Sequence, residues 1–255
     1  MIESLFGLKG KTSLITGSGR GIGYTLATGL ANAGSRIILN DIDQTRLNKA
    51  VTDFQKQGFE AEGVLFDVCN EEQVIQQVEM IESTVGPIDV LVNNAGIQIR
   101  GPLEEFKVED WQRIIDVNLT GVFVVSKTVV KRMIERKKGK IINICSIQSE
   151  LARPTIAPYT ATKGGVRNLT RGMATDWAKH NIQINGIAPG YFKTEMTKAL
   201  YEDKKFDAWL CSRTPANRWG NPSELIGAAI FLASTASDYI NGHLIYVDGG
   251  LLSCV

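Results

Sequence analysis

The stretch Thr16-Gly17-Ser18-Gly19-Arg20-Gly21-Ile22-Gly23 decides how this chain folds. It follows the β-rich run 12–16 and opens the helical pattern 22–33. Glycines at such a junction let the backbone turn tightly and approach a pyrophosphate, while the helix N-terminus supplies N–H groups and positive potential. The spacing of Gly17, Gly21 and Gly23 departs from the common G-x-G-x-x-G, and many strand–helix junctions use glycine for steric reasons alone. The strand–turn–helix setting turns the motif into an expectation that residues 17–23 hold a dinucleotide.

Outward from this turn, β-rich apolar runs at 12–16, 36–40, 63–66, 90–92, 140–144, 183–187 and 244–247 alternate with helical patterns at 22–33, 44–57, 71–84, 108–136, 159–179 and 223–234. Several runs are apolar on both faces, which suits a parallel sheet covered by helices on each side. Asp43 and Asn70 are placed to cap the second and third helices. The alternation predicts an α/β fold, one doubly wound domain with about seven parallel strands. That domain is expected to span residues 1–255. Residues 191–218 break the rhythm with a long, charged, aromatic insertion, the kind that forms a lid or substrate wall.

Composition narrows the function classes. A formal net charge of +1 argues against nucleic acid or an acidic membrane as partner. No apolar run approaches the ~18 residues of a spanning helix. Residues 1–10 lack the charged and apolar regions of a secretory signal. Cys69, Cys145, Cys211 and Cys254 are scattered, and His180 and His243 lie far apart, so no zinc cluster is expected. The simplest reading is a reduced, cytoplasmic protein that needs no metal.

Further residues fall at the carboxyl ends of the predicted strands, where such sheets bind ligands. Asp41 ends the second strand and is suited to accept hydrogen bonds from adenosine ribose hydroxyls. It favours NAD by repelling a 2′-phosphate; Arg20 and Arg46 would offset it and admit NADP, and Asp41 would equally serve as a turn cap. Asp67 and Val68 are placed to meet the adenine, and Asn93-Asn94-Ala95-Gly96 forms a close-approach loop.

Ser146 follows the fifth strand. Tyr159 and Lys163, spaced i and i+4, share one face if that segment is helical. A phenol beside an ammonium with a hydroxyl nearby is a proton-transfer device, with Tyr159 as general acid/base. Lys163 is expected to pull the Tyr159 phenol down from its ordinary pKa of ~10. Asn118 sits inside the long helical pattern 108–136, where asparagine is a poor interior residue. A local kink with a bound water explains it, as does a solvent-facing side chain.

Taken in order, the turn at 16–23, the loop at 93–96, Asn118, Ser146, Tyr159-x-x-x-Lys163 and Pro189-Gly190 resemble the short-chain dehydrogenase/reductase family over nearly the whole chain. The resemblance implies a Rossmann-type sheet, an NAD or NADP cofactor, a homotetramer, and a catalytic tetrad of Asn118, Ser146, Tyr159 and Lys163. It also implies that Thr194 binds the nicotinamide carboxamide and that Ile187 lies against its ring. Lys163 would hold the nicotinamide ribose, and Asn118 would position a proton-relaying water. Segments 144–151, 185–195, 209–220 and 243–250 are similar to the gluconate 5-dehydrogenase branch, which implies reversible reduction of 5-keto-D-gluconate.

A polyhydroxy acid suits the residues near Ser146 and Tyr159. Arg100 or Arg153 can take a carboxylate bidentately, and Gln148 and Glu150 can take sugar hydroxyls. Each arginine would equally serve as a surface charge or subunit salt bridge. Two other readings stand beside this one: a reductase of another carbonyl, such as a 3-ketoacyl thioester or a sugar or polyol, and a non-catalytic dinucleotide sensor. The apolar segment 244–255 would either pair across a two-fold axis or end the core.

Overall fold

In the computed structural model, which describes residues 2–254, seven parallel strands form one sheet. They are β1 (Thr12–Ile15), β2 (Arg36–Asp41), β3 (Ala61–Leu65), β4 (Val90–Asn93), β5 (Gly139–Ile144), β6 (Ile182–Pro189) and β7 (Leu244–Val247), in the spatial order β3-β2-β1-β4-β5-β6-β7. The helices are α1 (Ile2–Phe6), α2 (Gly21–Asn32), α3 (Gln44–Lys56), α4 (Glu71–Thr84), α5 (Val108–Ile115), α6 (Gly121–Arg136), α7 (Ala157–Trp177), α8 (Lys198–Tyr201), α9 (Lys204–Arg213) and α10 (Ile226–Ala233). Met1 and Val255, which end the segments expected to lack a signal and to terminate the core, lie outside the described residues.

Strand alternation divides the core into two layers. Ile15, Ile37, Leu39 and Val92 face α2, α3 and α10 through Leu26, Leu30, Phe54 and Leu232. Their chain neighbours Leu14, Ile38 and Leu91 face the opposite way, onto Val78 and Ile81 of α4, Val125 and Val129 of α6, and Met173 of α7. Each such side chain contributes roughly 1.5–3 kcal/mol by leaving water. Both predicted caps form: Asp43 accepts from the Arg46 N–H at 2.9 Å and Asn70 from the Gln73 N–H at 3.0 Å.

Sheet order reverses at β1, whose neighbours are β2 and β4. Such a switch leaves a crevice at the carboxyl ends of the strands. The helix expected over 108–136 is interrupted by a wide π turn at Asp116–Thr120. Residues 191–218 include the helices α8 and α9, and the Tyr191 ring meets those of Phe206 and Trp219 at 5.7 Å each. This aromatic group packs with Ile147, directly after Ser146. Among the described residues no helix is long and apolar enough to cross a membrane, and no cluster of His, Cys, Asp and Glu is suited to a metal.

Candidate active site

A cleft of about 1350 Å³ lies over the carboxyl ends of the strands. Its first wall is the glycine turn. Gly17 and Gly21 have φ of +61° and +60°, a region that disfavours side chains. A Cβ on Gly17 would also stand 2.9 Å from the Ala95 Cα. Gly17, Arg20, Gly21 and Ile22 line the cleft, as do Asn94, Ala95 and Gly96. Ser18, Gly19 and Gly23, expected to touch a cofactor, do not line it. The Ser18 hydroxyl is buried and donates to the Ile15 carbonyl at 2.8 Å. Gly19 makes room for Asp41, and Gly23 for Asn94. These residues shape the turn from behind because it must pack against β2 and β4.

Sequence reading missed the residue that holds this turn. Asn40 accepts from the Gly17 N–H at 3.2 Å and donates to the Val64 and Phe66 carbonyls at 3.2 and 3.0 Å. The available signal was a polar residue closing the apolar strand Ile37-Ile38-Leu39. Next to it, Asp41 lines the cleft with its carboxylate already engaged. Arg46 donates to it through Nη2 at 2.7 Å and Nε at 3.3 Å, and the Asp43 N–H donates at 2.9 Å. Arg20 lines the same end. Asp67 and Val68 line the next part, with Asp67 accepting from the Cys69 N–H at 2.9 Å. A glycine cradle at a helix N-terminus, with a carboxylate at the end of β2 and two guanidinium groups, fits a nicotinamide dinucleotide.

The π turn explains Asn118. Its widened backbone, with the Gly121 N–H reaching the Asp116 carbonyl, buries the Asn118 side chain completely and off the cleft surface. The amide accepts from the Ile97 N–H at 2.8 Å and donates to the Ile97 carbonyl at 2.9 Å and to Thr162 Oγ1 at 3.3 Å. The Thr162 hydroxyl in turn donates to the Tyr159 carbonyl at 2.8 Å. Asn118 thus ties the loop after β4 to the first turns of α7.

Tyr159 and Lys163 lie one turn apart on α7 and line the cleft with Ser146. The Ser146 hydroxyl accepts from the Gln148 N–H at 3.1 Å and stands close enough to the Tyr159 phenol to lower its pKa. Lys163 Nζ donates to the Ile144 carbonyl at 2.7 Å and stands 5.6 Å from the centre of the Tyr159 ring. The expected lowering of the phenol is not found. Burial pushes Tyr159 up to about 12, against the opposing effect of Ser146. Burial also lowers the pKa of Lys163, whose proton is directed at a carbonyl and not at the phenol. Desolvation of an anion outweighs a cation held on another acceptor.

Arg100 and Arg153 line the outer part of the cleft. Burial lowers the Arg100 pKa, and repulsion from Arg153 lowers it further. Arg100 donates to the Met196 carbonyl at 3.3 Å; Arg153 stacks 5.5 Å over the Phe206 ring, and its charge opposes the rise in the pKa of Tyr191, a cleft residue that sequence reading did not single out. Among the described residues neither forms an ion pair with a carboxylate. Gln148 lines the cleft as expected, but Glu150 does not. The turn Ile147–Ser149 carries Glu150 outward, where it accepts from Arg167 at 2.8 Å and from the Tyr246 hydroxyl at 2.5 Å.

Pro189, Gly190 and Thr194 line the side facing α8. A Cβ on Gly190 would stand 2.7 Å from the Asp248 Cα, so close passage of the two chains requires glycine there. Thr194, inside the insertion, caps the short turn Glu195–Thr197, its N–H donating to Thr197 Oγ1 at 3.0 Å. Ile187, expected beside a nicotinamide, is fully buried in the core because its side chain points into the helix layer.

Fold and cleft together define a dehydrogenase that works with a dinucleotide. The chain belongs to the short chain dehydrogenase family, whose sequence profile matches residues 11–205. It is 59% identical over 254 residues to 5-keto-D-gluconate 5-reductase of Escherichia coli strain K12, covering 100% of both chains. It is 55% identical over 247 residues to gluconate 5-dehydrogenase of Gluconobacter oxydans strain 621H, covering 97% of this chain and 96% of that one. Among solved structures, a gluconate 5-dehydrogenase from Burkholderia cenocepacia J2315 in complex with NADP and tartrate matches with a TM-score of 0.98 at 56% identity, over 100% of each chain.

Proposed function

We propose that this protein interconverts 5-keto-D-gluconate and D-gluconate with NADH or NADPH. The observation that carries the reading is that Arg100 and Arg153, neither paired with a carboxylate, both line the cleft that holds Ser146 and Tyr159, near enough for Arg153 to lower the Arg100 pKa. Such a pair is suited to the carboxylate of an acidic substrate. The similar structure from Burkholderia cenocepacia holds tartrate, itself a hydroxy acid, and the two similar enzymes are named for 5-keto-D-gluconate and for gluconate.

Bound in the cleft, the nicotinamide dinucleotide supplies or accepts the hydride. Tyr159, neutral at physiological pH, gives its proton to the substrate oxygen as the ketone is reduced and takes one back in oxidation. The Ser146 hydroxyl donates a hydrogen bond to that oxygen and stabilises its developing charge. Lys163 holds the ribose end of the cofactor and adds positive potential. Asn118 acts indirectly, by fixing the loop at Ile97 and the α7 turn that carries Tyr159. Gly17, Arg20, Gly21, Ile22, Asp41, Asp67, Val68, residues 94–96, Pro189, Gly190 and Thr194 form the cofactor's walls. Arg46 neutralises Asp41, so the adenosine end accepts a 2′-phosphate as well as a ribose hydroxyl.

The chain works as one domain, with residues 191–218 as a lid over the substrate, and as a cytoplasmic homotetramer. Trp111 and Phe123 leave apolar surface for such an assembly. The test follows NADH and NADPH oxidation with 5-keto-D-gluconate beside an acetoacetyl thioester. Turnover of the sugar acid alone is expected; inertness toward it with both cofactors overturns the reading.

A further inference from the structure

Gln148 follows Ser146 by two residues and faces the cleft. Its residue is only 7% exposed, yet its Oε1 is buried without a hydrogen-bond partner. Gln148 Nε2 makes no hydrogen bond with another described residue but, unlike Oε1, keeps some accessible surface. An unpaired buried amide oxygen destabilises the fold, so one kept on a ligand-facing wall points to a ligand that completes it. The terminal amide torsion is soft, so either end turns toward the cleft at little cost. The matching partner must donate and accept a hydrogen bond in the same place, which a hydroxyl does and a methylene does not. The Gln148 N–H donates to Ser146 Oγ at 3.1 Å and both residues line the cleft with Tyr159, so the substrate atoms within reach of its side chain are sought next to the reacting carbon.

We propose that Gln148 reads a hydroxyl on a carbon flanking the reacting carbonyl, so that the enzyme selects α-hydroxy keto acids over their deoxy analogues. The inference rests on the sugar-acid reading above. It gives the cleft two separate recognition tasks: the arginine pair selects the acid, and Gln148 selects the hydroxylation next to the ketone.

The experiment compares 5-keto-D-gluconate with its 4-deoxy and 6-deoxy analogues on the wild type and on Gln148→Leu, an apolar near-isostere. The wild type is expected to prefer the parent over one analogue by about 100-fold or more in kcat/KM. Gln148→Leu is expected to lose about tenfold or more on the parent while keeping its rate on that analogue, so the preference collapses. Its melting temperature should equal or exceed that of the wild type, because an unpaired amide is replaced by a group that needs no partner. An unchanged preference in the variant overturns the role of Gln148 alone, as does a large fall in melting temperature. A wild type inert toward the parent overturns the sugar-acid reading, and this inference with it.

Discussion

In the proposed reaction Tyr159 acts as an acid that holds its proton. Burial lifts the phenol to about 12, so below pH ~10 nearly all of it is neutral and ready to protonate a reduced ketone. Oxidation needs the phenolate, whose population rises about tenfold per pH unit until the pKa is reached. Initial rates should therefore stay level from pH 7 to about 9 for reduction and climb across that range for oxidation. A flat oxidation profile would assign the base to another group. The bound cofactor's positive charge moves the rise to lower pH without reversing its direction. Tyr159→Phe should lower kcat by about 10²–10⁴ while NADPH still binds, as read by its fluorescence. The Tyr159–Lys163 pair was legible because spacing on one helix is a local property. The direction of the Tyr159 shift was not, since it depends on how much water the folded walls exclude and on the Ile144 carbonyl that takes the lysine proton.

At the level of elements, the break between α5 and α6 shows how one misplaced residue type marks a working part. Asparagine inside a helical pattern signalled a kink, and the π turn supplies it. The amide spans to Ile97, a distance in sequence that no periodicity encodes. Asn118→Ala leaves the Ile97 N–H and carbonyl without these partners, at about 1–3 kcal/mol each. A lower melting temperature is expected, together with a fall in kcat because the turn bearing Tyr159 loosens. Normal stability and activity would remove Asn118 from the positioning network. The glycine turn was equally legible as a motif, but its division of labour was not. Gly17 and Gly21 line the cleft while Ser18, Gly19 and Gly23 pack behind them, and that follows from which way each residue of a tight turn packs. Glu150 went astray for a similar reason: the short turn after Ser146 reverses its direction toward Arg167 and Tyr246.

Across the whole molecule, β4 joins the two core layers at the centre of the sheet, with Leu91 and Val92 fully buried on opposite faces. Truncating Leu91→Ala should cost about 2–5 kcal/mol, seen as a lower denaturant midpoint; a change near zero would mean that the layers collapse onto the void. Light scattering should give four times the mass of one chain, and a single-chain mass would remove the proposed tetramer. The sequence by itself determined the alternation of strands and helices, the caps at Asp43 and Asn70, the glycine turn and the Tyr159–Lys163 pair, because each is written in nearest neighbours or in one helical turn. Only the tertiary structure decided that Arg100 and Arg153 line one cleft, that Glu150 leaves it for Arg167 and Tyr246, and that Gln148 lines it with its amide oxygen unpaired. Those outcomes depend on distances between segments far apart in sequence and on competition among polar groups for the same partners, which exist only once the sheet has closed around the cleft.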